Sequence, residues 1–195
     1  MNLRSLALVL VASAFAQVTA FAQGGIYLAP TAIHVTNSTA DKGPFAFLGE
    51  GNTSQTFYGA TIGGYYNFYH QGKIDAGIDL RDAITHGNNA SLNNFLFGAR
   101  LSGSPFVRPI KPYAQVSVGL GTSRAPTSAV HASKIEYGAF VGADYTLNRH
   151  FDWRVFEVGY TSLQTISSST VGSTNTVIPN SNLLNFSTGI VIRIP

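Results

Sequence analysis

Eight charged residues carry the chemistry this chain could do: Asp75, Asp79, Arg81, Arg100, Glu136, Asp144, Glu157 and Arg193. Each falls in a stretch where apolar and small polar residues alternate, and each takes the polar side of that alternation. Five acids therefore share one register with three arginines. Guanidinium groups bind carboxylates bidentately, so the first chemistry this set supports is ion pairing in a confined space. Two acids are left without an evident arginine, and paired carboxylates are also what glycoside hydrolysis uses. A hydrolase, however, must admit its substrate to a cleft, and ion pairs packed into a narrow space leave none.

Other reactive types are scattered rather than gathered. His34, His70, His86, His131 and His150 show no ligand spacing on one element, so neither a metal site nor a cofactor site is expected. Ser133, His131 and Glu136 are close in sequence, but Glu136 has inward parity and the group reads as loop polarity rather than a catalytic trio. There is no Cys, which removes thiolate chemistry and disulfides together. Asn37-Ser38-Thr39 and Asn52-Thr53-Ser54 match the N-glycosylation acceptor pattern, which the export route read below leaves idle.

The elements that must position the charges are strands. In Lys73 to Asp82, Ile74, Ala76, Ile78 and Leu80 take one face and Asp75, Gly77, Asp79 and Arg81 the other, because side chains of a strand point alternately to opposite sides. The same period predicts eight strands, near 25–35, 55–69, 73–85, 91–103, 112–123, 133–147, 153–165 and 182–194. Apolar residues recur on one register: Tyr58, Ala60, Ile62, Tyr66 and Phe68; Phe95, Phe97, Ala99 and Leu101; Ile135, Tyr137, Ala139, Val141, Ala143 and Tyr145; Phe186, Thr188, Ile190, Ile192 and Ile194. An even number of antiparallel strands with a greasy face and a charged face predicts an all-β, eight-stranded, up-and-down transmembrane barrel, with lipid outside and the charges inside. Gly63, Gly77, Gly98, Gly119, Gly138, Gly142, Gly159 and Gly189 share the inward register and leave room for the larger side chains.

Composition agrees with a membrane solvent. Only 11% of residues are charged, under half the roughly 25% typical of soluble proteins. The charges are spread along the chain, which argues against nucleic acid as a partner. Residues 1–22 read as a secretion signal: basic Arg4, an apolar run from Leu6 to Ala16, and Ala20-Phe21-Ala22 as a small-x-small cleavage site. The run is shorter than the about 20 apolar residues a spanning helix needs. The mature barrel domain is then 23–195.

The connections alternate in length. Asn37 to Ser54 and Ser167 to Ser181 are long, Gln71-Gly72 and Asn148 to Asp152 are short, and His86 to Ala90 is moderate. Short turns belong in the periplasm and long loops outside, so a periplasmic N-terminus fits the order. Tyr27, Tyr66, Phe68, Tyr69, Phe106, Tyr113, Tyr145, Phe151 and Trp153 gather near the short turns as an expected aromatic girdle. Pro30 stands inside the first strand, where a missing N–H predicts a bulge or a later strand start.

Segments such as Phe97-Gly98-Ala99-Arg100-Leu101, Tyr113-Ala114-Gln115-Val116-Ser117-Val118-Gly119 and Tyr137-Gly138-Ala139-Phe140-Val141-Gly142-Ala143-Asp144-Tyr145 resemble the small eight-stranded OmpA/OmpX-type outer-membrane barrels, within the outer membrane protein β-barrel domain family. That family usually closes on an aromatic residue, whereas this sequence reads Arg193-Ile194-Pro195. The resemblance implies an integral outer-membrane protein that contacts outer-membrane lipids as a monomer. Lipid-A-modifying enzymes resemble the same fold, but no Ser and His are set here for their chemistry.

The expectation is therefore a structural or binding protein rather than an enzyme, its lumen filled by ion pairs. Loops 37–54 and 167–181 are the surfaces for an extracellular partner, with Phe45, Phe47 and Leu48 either an exposed patch or folded back onto the barrel rim. A narrow passive channel is the alternative reading. A soluble lipocalin-like carrier is a third, and it requires the greasy face to turn inward.

Overall fold

The computed structural model describes residues 23–40, 46–103, 109–126, 131–163, 165 and 180–194. The expected leader, Phe45, Phe106 and most of 167–181 lie outside those residues. Eight antiparallel strands run in chain order: β1 (Gln23–Thr36), β2 (Ser54–Gln71), β3 (Ile74–Gly87), β4 (Ala90–Gly103), β5 (Ile110–Arg124), β6 (His131–Thr146), β7 (Phe151–Leu163) and β8 (Ser181–Ile194). Each pairs with its neighbours, and β1 pairs back onto β8 from Gly24↔Ile194 to Thr36↔Asn182 to close the cylinder. Closure matters because a barrel has no unpaired edge to leave in hydrocarbon.

Burial follows the alternation. Ile26, Leu28, Ile62, Leu80, Phe95, Phe97, Val116, Ile135, Val141 and Ile190 are all exposed on the outer wall, while Asp79, Arg81, Arg100, Glu136, Asp144 and Glu157 are buried. A carrier with a hydrocarbon-lined centre is thereby overturned. Three details depart from the sequence reading. The β3–β4 connection is only Asn88-Asn89, both at positive φ (49° and 60°), the two-residue geometry whose backbone twist matches flanking strands. Tyr27 and Tyr113 leave the expected girdle and point into the barrel, because they fall on the inward register of β1 and β5. Ala143 is also buried, beside the register shift at Ala143/Asp144.

Pro30 produces neither a bulge nor a late start. The β1–β8 register is unchanged on both sides of it (Leu28↔Ile190 and Thr31↔Ser187), but the ladder is interrupted at Ala29 and Pro30. On its other side Pro30 still stands opposite Ala60 of β2.

The end of the barrel that carries the long connections is closed by an apolar cap. A turn at 46–49, held by Gly49 N–H donating to the Ala46 carbonyl (3.1 Å) with Gly49 at φ 89°, drops Phe47 and Leu48 into the mouth. There they pack with Ile33, Val35, Phe57, Leu92, Leu163 and Leu183, and Phe47 stacks on Phe57 with ring centroids 4.9 Å apart. Phe47 and Leu48 are fully buried, so of the two readings of these loop residues the structure takes the one in which they fold back onto the rim, not the exposed patch. An apolar side chain in a loop gains more by covering the apolar rim of the barrel than by facing water. Replacing a fully buried phenylalanine leaves a cavity, so Phe47→Ala is expected to lower unfolding stability by about 3 kcal/mol in urea titrations of the refolded protein.

Candidate functional site

The charged interior is built in tiers by the inward registers of all eight strands. At its centre Arg81 (β3) grips Glu157 (β7) through both terminal nitrogens, Nη1 to Oε1 at 2.8 Å and Nη2 to Oε2 at 3.1 Å. Its Nε donates to Asp79 at 3.0 Å and its Nη2 to the Gln115 carbonyl oxygen at 3.0 Å. Asp79 also accepts from Tyr27 Oη (3.0 Å) and Gln115 Nε2 (2.9 Å). Glu157 also accepts from Tyr113 Oη (2.7 Å) and Ser187 Oγ (3.2 Å). Burying a carboxylate costs several kcal/mol, and the cost is met only when its remaining lone pairs find donors, as they do here.

Toward the short-turn end lies a second tier. Asp144 (β6) accepts from Arg100 (β4) at 3.0 Å and from Arg154 (β7) at 3.1 Å, while Arg154 also reaches Glu157 at 3.4 Å. The guanidinium planes lie against aromatic faces: Arg100 between Tyr113 (3.8 Å) and Tyr65 (4.2 Å), Arg154 over Tyr27 (4.0 Å), and Arg81 over Phe140 (4.2 Å). Stacking of this kind suits arginine, whose flat cation is more weakly hydrated than an ammonium. Glycines make the space. A Cβ at Gly142 would meet the Tyr113 hydroxyl and one at Gly159 the Phe140 ring.

The other expected members sit apart. Asp75 is only partly buried and pairs with His70. Arg193 is at the rim, 3.3 Å from Asp152, which Lys111 also approaches at 3.5 Å. Glu136 is buried nearer the cap, bonded by Asn94, with no Lys or Arg in ion-pairing range among the described residues. His131 and Ser133 are exposed while Glu136 is inside, so the structure does not bring that trio together. His34 bonds Thr56 instead, at 2.9 Å.

Sequence parity missed Arg154 and Asp152, both buried. The register of β7 shifts between Arg154 and Glu157, so even positions face inward before the bulge and odd positions after it. A signal was present: the exposed aromatics switch from Phe151 and Trp153 to Phe156 and Tyr160, from odd to even.

Space inside is scarce. A cavity of about 220 Å³ opens at the short-turn end beside Arg100, Lys111 and Asp144. Between Arg81 and the cap, a pocket of about 10 Å³ remains, close to the volume of one water probe.

Against known proteins, the family model described as outer membrane protein beta-barrel domain matches residues 5–189. Among solved structures, Neisserial surface protein A superposes with a TM-score of 0.52 at 15% identity, covering 86% of this chain and 96% of that one. The attachment invasion locus protein Ail of Yersinia pestis superposes with a TM-score of 0.54 at 12% identity, covering 88% and 98%. No curated protein matches in sequence.

The geometry separates buried acids that look alike in sequence: Asp79 and Glu157 face Arg81, while Glu136 faces Asn94. Arg81→Met leaves Asp79 without a guanidinium and Glu157 with only the 3.4 Å guanidinium contact from Arg154, and is expected to cost about 3 kcal/mol in urea unfolding of the refolded barrel. Glu136→Gln, which removes a charge no arginine faces, is expected to cost less than about 1 kcal/mol in the same titration.

Proposed function

We propose that this chain, which belongs to the outer membrane protein beta-barrel domain family and lies in the outer membrane, is a non-conducting, non-catalytic barrel that presents its long loops outward for envelope integrity or surface binding. The observation that carries this reading is the filled interior. From the Arg100–Asp144–Arg154 tier, through Arg81 and Glu157, to the Phe47 cap, side chains occupy the bore, with about 10 Å³ left under the cap. A conducting pore needs a continuous wet path, and selectivity filters leave their charges open to the passing ion. Here the carboxylates of Asp79 and Glu157 are occupied by Arg81, Gln115, Tyr27 and Tyr113.

On this reading the ion pairs are structural. They tie β3, β4, β6 and β7 across the bore and fix the register of each relative to the others, which a ladder of identical backbone bonds does less strictly. Residues 1–22 serve as the cleaved export leader, and contact with outside partners falls to connections 37–54 and 167–181. Within the first of these, the turn at 46–49 belongs to the cap, so among the described residues Ser38, Thr39 and Glu50 to Ser54 are the exposed ones.

The experiment is planar-bilayer recording of the refolded protein. No steady steps above the lipid baseline are expected. Steady steps whose size changes in Arg81→Met or Arg100→Met would overturn the filled-bore reading in favour of a narrow channel.

A further inference from the structure

The short-turn end of the bore keeps a space that the tiers above it do not. Its cavity of about 220 Å³ is walled by Asp75 of β3, Arg100 and Ser102 of β4, Lys111 of β5, Asp144 of β6 and Arg193 of β8. All six are on the inward register, alternating with the exposed Ile74, Leu101, Ile110, Tyr145 and Ile192, so the cavity faces the barrel axis and the water beyond the short turns. It is smaller than the roughly 300–1,000 Å³ of pockets for drug-sized ligands. Its occupant must be small.

Arg100 in its wall is 2% exposed, yet of its three nitrogens only Nη2 finds an acceptor, Asp144 Oδ2 at 3.0 Å. Nε and Nη1 have no partner among the described residues, and they carry three of a guanidinium's five N–H groups. Arg81, equally buried, engages all three of its nitrogens. The rings of Tyr65 and Tyr113 cover the faces of the Arg100 guanidinium, but an N–H in the plane still needs an acceptor.

Charge points the same way. Asp144 is shared by Arg100 and Arg154, and Asp152 by Lys111 and Arg193. Arg154 has a second carboxylate in Glu157, whereas Arg100, Lys111 and Arg193 have none among the described residues. The remaining acid of the wall, Asp75, is taken by His70. Three cations therefore border the cavity with two shared carboxylates between them, and Lys111 holds its share only at 3.5 Å.

We propose that this cavity binds a small free oxyanion of the phosphate type, which enters from the aqueous end of the bore. A carboxylate presents two oxygens on one edge, whereas the donors of Arg100, Ser102, Lys111 and Arg193 converge from three strands, as the four oxygens of a tetrahedral anion require. Position separates a free anion from a phospholipid headgroup. Headgroups surround the barrel outside the exposed Phe151 and Trp153, while the cavity lies inside the cylinder of strands.

The test is equilibrium dialysis of the full-length protein, refolded in a maltoside detergent, against radiolabelled inorganic phosphate at fixed ionic strength. Heat-modifiable gel mobility verifies that each variant has folded. Uptake is expected to saturate at about one phosphate per chain, and Arg100→Met is expected to raise the half-saturating phosphate about tenfold. Should Arg100→Met fail to fold, the partly exposed Lys111→Met removes a donor from the same wall and is expected to shift it in the same direction. Lys134→Met, which removes an equal charge from the exposed, opposite end of β6, is expected to leave it unchanged. Uptake that rises without saturating, or equal half-saturation in the wild type and Lys111→Met, would overturn the site. Displacement of the bound phosphate by phosphatidylglycerol, with none by phosphatidylcholine, would overturn the free anion in favour of a lipid headgroup.

Discussion

The backbone hydrogen bonds of β1 to β8 are the constraint from which the rest of this structure follows. In hydrocarbon each unpaired N–H or C=O costs several kcal/mol, so a sheet can enter the membrane only by meeting itself. The pairing of Gly24↔Ile194 through Thr36↔Asn182 does this. Once eight strands close, the bore has room for side chains and little else. The inward register must then be chosen to fill a cylinder, and the outward register is left free to be greasy.

Filling that cylinder with charge is costly unless every group is matched, and the matching here is uneven along the axis in an instructive way. Near the short turns, Arg100, Arg154 and Asp144 meet in a tier whose aromatic walls, Tyr27, Tyr65 and Tyr113, replace water around the guanidinium groups. At mid-height Arg81 is shared between Asp79 and Glu157. Above it, polarity fades to the lone Glu136 and then to the cap of Phe47, Leu48 and Phe57. Lysine could not replace these arginines one for one. A bidentate grip with simultaneous stacking needs a planar fork, and an ammonium offers neither.

How much of this could be read from the sequence depended on whether one period held along a strand. In β3 it holds from Ile74 to Leu80, and the inward burial of Asp79 and Arg81 follows from counting by twos. Tyr27 and Tyr113 were legible by the same count, yet their chemical type suggested the interface. Parity was the better guide, because an amphipathic ring beside a buried arginine satisfies both its face and its hydroxyl. In β7 the count breaks at the bulge, so Arg154, among the most buried side chains of the barrel, went unread although it serves both Asp144 and Glu157. Phe47 and Leu48 could not be assigned from pattern, since nothing in a loop states which surface it will cover.

The interruption at Pro30 joins these threads. A proline in a closed wall removes one donor, and the simplest repair is a bulge that slips the register past it. This barrel instead keeps the β1–β8 register, and a bulge lies on the far side of β8, in β7. The consequence is that Arg154 and Glu157 face inward from the two sides of one irregularity, close enough to contact at 3.4 Å. Two inward residues three apart in an uninterrupted strand would face opposite ways. The local break in β7 therefore brings the arginine and the carboxylate of one strand to the same side of the wall, within reach of both tiers of the interior.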